Sequence, residues 1–167
     1  MDVSLLEKLS DPEVWEAFYA YRTSLACPKA DTEELRRFIA ERAFLPVTEL
    51  IRTGGRFPLP RRAVISKMHS RKKRVVYIYP PAENTVIKLL TWLLLRQYDS
   101  LFADGLYSFR PGRSAKDAVR KLTHTKGIGK AWAYKVDIHN YFNSVPVPRL
   151  IPLLQETLAD DSKLYAF

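Results

Sequence analysis

A single cysteine, Cys27, occurs in the 167 residues. This excludes an internal disulfide and any cage of cysteine thiolates around a metal, and it fits a reducing compartment. Acids are also in short supply, 18 against 27 lysines and arginines, which leaves a net charge of +9 and a pI near 9.7. A polyanion such as nucleic acid becomes the leading class of partner, with a merely basic, soluble surface as the plain alternative. Long apolar runs are missing as well. The greasiest stretch, VIKLLTWLLL at 86–95, is too short to cross a bilayer and contains Lys88, so it is expected as a core helix. The opening MDVSLLEKLSDPEVW lacks an uninterrupted apolar region, so no secretory leader is expected, and with the lone cysteine a cytoplasmic placement is the expectation. No internal repeat or low-complexity segment occurs. The length suits one domain with a real core, or a piece of something larger.

Turn and cap residues divide the rest. Asp11-Pro12-Glu13 predicts a helix over about 11–25, with Val14, Trp15, Phe18, Tyr19 and Tyr21 at roughly helical spacing. Asp31 with Glu34 predicts a capping box and a second helix to about Phe44, and Pro46 opens a short third helix closed by Gly54-Gly55. After Gly55 the texture changes. Ala63-Val64-Ile65 and the run 74–79 are β-branched and aromatic and flank MHSRKK, which predicts a hairpin. Pro80-Pro81 stop it, and a long apolar helix opens at Glu83 and runs to about Leu101. Ser114 with Asp117 caps a helix to about Thr123. AWAYKVDI at 131–138 alternates as a strand does, and RLIPLLQETL predicts a last helix interrupted at Pro152.

Three pieces carry chemistry. The hairpin holds Arg61, Arg62, Lys67, Arg71, Lys72, Lys73 and Arg74, with His69 and no acid, a density of charge meant for phosphates or for water. Lysines guarding an edge against sheet-to-sheet pairing are the plain reading of the same residues. In LYSFRPGRSAKDAV, 106–119, two arginines and a Pro-Gly pair stand before a helix N-terminus, an arrangement able to hold phosphate. In YKVDIHNYFNSV, 134–145, Asp137 closes an apolar strand. An acid there suits a metal ligand, because the strand fixes it while the turn leaves room for Mg²⁺ and a phosphate. A turn or cap residue is the plain alternative.

The order of these parts resembles reverse transcriptases, in particular the bacterial branch akin to group II intron maturases. The matching residues are FRPGRSAKDAV at 109–119, VDIHNYFNSV at 136–145 and the pair Lys67 and Arg74, and the likeness covers about 58–154. It implies an α+β chain: right-hand polymerase fingers with the start of the palm, helix-rich, with a basic β-hairpin and a short antiparallel sheet. Residues 1–55 would be the N-terminal helical part of the fingers, 56–130 the hairpin, long helix and FRPGRS element, and 131–167 the beginning of the palm. The implied activity is RNA-directed DNA synthesis on an RNA template with an RNA or DNA primer-template and deoxynucleoside triphosphates.

By the same resemblance Asp137 is the first of the catalytic aspartates that hold two Mg²⁺ ions, which clamp the attacking 3′ oxygen and the leaving pyrophosphate. The carbonyl of Ile138 and the amides of Asn140 and Tyr141 touch metal and triphosphate. Phe142 lies against the sugar and rejects a 2′-hydroxyl, with a core aromatic as its plain alternative. Lys67 and Arg74 close over the triphosphate. Arg110 and Arg113 line the template and nucleotide path, aided by the helix dipole after Ser114, and Arg71, Lys72 and Lys73 add nucleic-acid contacts. Arg110 has a structural alternative, a bridge to an acid such as Asp104 that pins the loop.

Departures mark the limits of the likeness. Ser108 stands where the family has glycine and Asn143 where it has an acid. The aromatic-x-Asp-Asp motif of the remaining catalytic aspartates is not found. Asp160-Asp161 imitates it only superficially, 23 residues after Asp137 and without the aromatic. The chain is therefore expected to be the fingers and partial palm of a larger polymerase, inactive in synthesis alone but able to bind nucleic acid. The rival expectation is an RNA-gripping maturase-like or phage-defence module.

Overall fold

The computed structural model describes residues 4–66, 73–139, 141–158 and 164, and for Phe142 and Asn143 the backbone only. Two compact units emerge, Met1–Trp92 with Gln155–Phe167, and Leu93–Leu154. Among the described residues the chain is helix-rich, with one small antiparallel sheet of two strands.

The first unit begins with four helices, α1 (Leu5–Lys8), α2 (Pro12–Ser24), α3 (Lys29–Ala40) and α4 (Leu45–Arg52). Local chemistry sets their ends. Ser4 and Glu7 form a capping box on α1, and the Asp11 carboxylate accepts the Glu13 amide at 2.8 Å ahead of Pro12 on α2. The capping box expected from Asp31 and Glu34 does not form. Helix α3 starts a turn earlier, straight after Pro28, which leaves Asp31 inside the first turn beside the positive end of the helix dipole. It also stops at Ala40 rather than near Phe44. Arg42 adopts a left-handed φ of 51°, and the Ala43 amide donates back to the Phe38 carbonyl at 3.0 Å. Gly54, at φ 75°, closes α4 in the same way, with the Gly55 amide on the Leu50 carbonyl at 2.8 Å.

The apolar faces of these helices meet around Trp15, which has no exposed surface. Its ring stacks on Phe44 at 4.9 Å between centroids, with Phe38 at 5.5 Å and Phe18 edge-on at 6.2 Å. Its indole N–H donates to the carbonyl of Leu9 at 2.9 Å, so the one polar atom of the side chain is satisfied inside the core. Leu5, Leu9, Ile39, Ile51, Val86 and Leu89 complete the core.

The hairpin follows, β1 (Arg61–Ser66) against β2 (Lys73–Ile78), and then α5 (Pro81–Gln97), which opens two residues before the expected Glu83 because Pro81 suits the first helical position. Helix α5 buries Val86, Leu89 and Leu93 and ends at Gln97; a separate 3-10 turn, Asp99–Leu101, continues toward the loop. No helix among the described residues is long and apolar enough to cross a membrane.

The second unit holds that turn, the FRPGRS loop, α6 (Ala115–His124), a 3-10 turn at Ile128–Lys130, the short α7 (Tyr141–Ser144) and most of α8 (Val147–Thr157). Helix α8 runs through Pro152, where an interruption was expected; a single proline removes one backbone donor and the flanking turns continue. The expected strand at 131–138 is absent. The segment carries no ladder of backbone hydrogen bonds and is exposed along its whole length, Trp132 fully so. Alternation places Trp132, Tyr134, Val136 and Ile138 on one side of an extended chain, but a strand exists only where a neighbour pairs its amides and carbonyls, and none lies alongside among the described residues.

Candidate nucleic-acid interface

The hairpin's register decides which cations act together. Arg61 pairs with Ile78, Arg62 with Tyr77, Ala63 with Val76, Val64 with Val75, Ile65 with Arg74 and Ser66 with Lys73. Directly opposed residues share a face and faces alternate along each strand. Arg61 and Arg74 therefore lie on one face, Arg62 and Lys73 on the other. All four are exposed. Adjacent in sequence, Lys73 and Arg74 point to opposite sides of the ribbon. Lys67, His69, Arg71 and Lys72 lie outside the described residues.

The FRPGRS loop is organised by Arg110. Its Nε and Nη2 donate to the two carboxylate oxygens of Asp99 at 2.7 and 2.8 Å, a bidentate pair. The remaining N–H groups donate to the backbone carbonyls of Asp99 at 3.0 Å and Ala103 at 2.9 Å, with longer contacts to Leu106 and Phe102. The residue is 7 % exposed. Every donor direction of the guanidinium is occupied from within the loop, so Arg110 pins the loop and presents no face to a ligand. The structural alternative is what the geometry shows, with Asp99 rather than Asp104 as the partner.

The Arg110 hydrogen bond is the main cause holding the Asp99 carboxyl below its ordinary range, opposed by desolvation and assisted by the charges of Arg110 and Arg113. The same hydrogen bond to Asp99 raises the Arg110 guanidinium above its usual value, against the desolvation that lowers it.

Arg113 takes the other acid. Its Nη1 donates to the Asp104 carbonyl at 2.6 Å, Nη2 sits 3.5 Å from that carboxylate, and the guanidinium lies 5.7 Å from the centroid of Tyr107. Between the two arginines the chain turns at Gly112, φ 69°. Phe109 just before Arg110 has φ 59° and is 92 % exposed, a bulky residue in a region where side chains rarely sit.

At the N-terminus of α6 the capping box forms in full. The Ser114 hydroxyl accepts the Asp117 amide at 3.3 Å, and the Asp117 carboxylate accepts the Ser114 amide at 3.0 Å. Asp117 also meets Arg120 at 3.0 Å. Its carboxyl lies below the ordinary value, chiefly through the Ser114 hydroxyl. The positive end of this helix already carries its own anion, so the dipole invoked for an incoming phosphate is largely answered.

Asp137 and Ile138 lie in the exposed segment, and Tyr141 opens α7. Asn140 and the side chain of Phe142 lie outside the described residues, as do Asp160 and Asp161. Among the described residues no three acids, histidines or cysteines gather as a metal cluster. One carboxylate with one carbonyl falls short of the donors a magnesium pair needs, so the described residues do not by themselves fit that site. The hairpin belongs to the first unit and Asp137 to the second.

A cleft of about 260 Å³ in the first unit is lined by Arg22, Lys88, Asp31 and Glu34 around Phe18 and Phe38. Two cations against two acids give it no net pull on a polyanion.

No family model matches the chain. Over 159 residues, 93% of its length, it is 24% identical to the group II intron-encoded protein LtrA of Lactococcus lactis subsp. cremoris, of which it covers 26%. Over 102 residues, 60% of its length, it is 34% identical to an uncharacterized 91 kDa protein in the cob intron of Schizosaccharomyces pombe, of which it covers 12%. Its homologues are intron-encoded proteins. The chain spans about a quarter of the bacterial relative and about an eighth of the yeast one.

Proposed function

We propose that this chain forms the RNA-binding fingers, with the start of the palm, of a reverse transcriptase or maturase of the group II intron kind. Likeness to an intron-encoded protein along 93% of the chain supports the family, and the distribution of charge carries the partner. The stretch 61–74 holds seven lysines and arginines and no acid; without them the chain has 20 cations against 18 acids, so the hairpin accounts for seven of the nine net charges. A two-stranded ribbon with this concentration of charge suits a nucleic-acid backbone, whose bound counterions are released when lysine and arginine neutralise its phosphates.

In this reading Lys67 and Arg74 close on the triphosphate of an incoming deoxynucleotide, and Arg71, Lys72, Lys73 and Arg113 follow the template. Asn140 and Tyr141 offer amides to the triphosphate, and Phe142 meets the sugar. Arg110 keeps the loop in shape. Asp137 and the Ile138 carbonyl supply one edge of a Mg²⁺ site that other residues complete, so the 167 residues alone bind RNA without extending a primer.

Two measurements test this. The purified chain should bind single-stranded RNA with an affinity that falls linearly in log–log form as salt rises, and absence of salt-sensitive binding would refute the reading. In the longer protein Asp137→Asn should abolish primer extension while leaving the melting temperature within a degree or two of wild type; extension at the wild-type rate would remove Asp137 from the metal site.

A further inference from the structure

We propose that the hairpin face bearing Arg62, Lys73 and Tyr77 is a stacking surface for single-stranded RNA, distinct from the opposite face that carries Arg74. The inference rests on the RNA-binding reading above and adds a second surface to it. The two faces differ in cover. On the Arg74 side the middle of the ribbon, Ala63 and Val76, is half-buried, and the isoleucines at its ends, Ile65 and Ile78, are 46 % and 40 % exposed, Ile78 lining the cleft of the first unit. On the other side the middle pair is more open, Val64 at 51 % and Val75 at 42 % exposure. Val64 and Val75 stand opposed and exposed, and Tyr77 is 65 % exposed beside Arg62.

The edge-guarding explanation accounts for cations on a ribbon but not for an aromatic ring standing 65 % in solvent between them, which only this face carries among the described residues. A single nucleic-acid strand accounts for both. Its bases have π faces that stack on an aromatic ring whatever their identity, and its phosphates pair with flanking cations. The geometry suits that partner. Arg62 lies directly across from Tyr77, and Lys73 lies four residues away along β2, about 13 Å at the rise of an extended strand. The Val64–Val75 pair fills the interval with an apolar surface on which a neighbouring base or ribose can rest. Arg74 stands on the reverse side, so nucleotide and RNA are offered different faces of the hairpin. Duplex RNA hides its base faces in the stack and offers this surface only phosphates.

The test measures binding of the 167-residue chain to a fluorescent single-stranded oligoribonucleotide of about ten nucleotides, and to the same sequence as a duplex, across a salt series. Tyr77→Ala should weaken single-strand binding roughly 5- to 150-fold at every salt concentration, with the salt slope unchanged and duplex binding unchanged. Tyr77→Phe, which keeps the ring, should stay within about twofold of wild type. Arg62→Gln with Lys73→Gln should make the single-strand salt slope shallower by about 1.4.

Wild-type single-strand binding with Tyr77→Ala at full affinity overturns this inference and leaves the broader reading standing. Equal losses on single strand and duplex overturn it too, because stacking would not be the cause. A Tyr77→Ala chain that binds RNA normally but melts well below wild type would show that the face packs on protein instead. If the wild-type chain binds neither RNA, the broader reading and this inference both fall.

Discussion

Replacing Trp15 tests whether one indole organises the first unit. The ring is wholly buried and in contact with Phe18, Phe38 and Phe44, and its N–H is bonded to the carbonyl of Leu9, itself a fully buried residue. Trp15→Phe keeps an aromatic in the cluster but removes the donor. A buried carbonyl left without its partner costs about 1–3 kcal/mol, to which the space vacated by the smaller ring adds. Trp15→Ala also gives up three aromatic contacts, and a loss of about 3–5 kcal/mol follows from the usual cost of emptying such a site. Against a total stability of roughly 5–15 kcal/mol, the alanine variant retains little margin. Trp132, fully exposed, is the internal control, since Trp132→Ala should stay within about 0.5 kcal/mol of wild type. Urea unfolding followed by far-ultraviolet circular dichroism, with midpoint and slope fitted separately, measures all three. A Trp15→Phe chain within about 0.5 kcal/mol of wild type at unchanged slope would show that the Leu9 bond and the ring cluster do not hold the unit.

Three further outcomes are expected. Asp99→Asn should lower stability at neutral pH, and its sign with pH is fixed: a carboxyl held low in the folded state stabilises above its unfolded value, near 3.9, and that contribution fades as pH falls through the lower folded value. The gap between wild type and variant in denaturation midpoint should therefore be constant above about pH 5 and shrink below about pH 4; a gap that widens on acidification contradicts the Asp99–Arg110 pair. Ser114→Ala should cost about 1 kcal/mol and Ser114→Gly only a few tenths, read from the same unfolding curves, and equal costs would deny the hydroxyl its capping role. Phe109→Asn should raise stability by on the order of 1 kcal/mol, because asparagine tolerates the left-handed φ of 59° and the exposed ring buries little; a loss of that size would mean the ring is held by contacts that offset the strain.

Legibility from sequence followed the range of the forces involved. The hairpin was readable because β-branched residues and flanking prolines act locally, and the Ser114–Asp117 box because both hydrogen bonds close within four residues. The same signature at Asp31 and Glu34 misled, since Pro28 offered an earlier start. The end of α3 was invisible because an arginine occupies the left-handed position that glycine usually announces. At 131–138 alternation names a face but not a neighbour, and pairing is a property of two segments. The Arg110 lock was half legible. A buried arginine in a tight loop needs an acid, but whether Asp99 or Asp104 meets it depends on how the loop folds back, which eleven residues of separation do not encode.

The paired arginines also show why net charge alone locates nothing. Arg36 meets Glu16, Arg52 meets Glu49, Arg110 meets Asp99, Arg113 meets Asp104 and Arg120 meets Asp117, so five guanidinium groups outside the hairpin are answered by carboxylates of the same unit. Most of these pairs are exposed and contribute little to stability, but each cancels a charge that a distant phosphate would otherwise feel. The stretch 61–74 contains no acid to do the same. Among the described residues no ion pair engages Arg61, Arg62, Lys73 or Arg74, and at an ionic strength near 0.15 M the field of such charges reaches about 8 Å into solvent. The proposed RNA-binding surface thus rests on where the acids are absent more than on how many lysines and arginines are present.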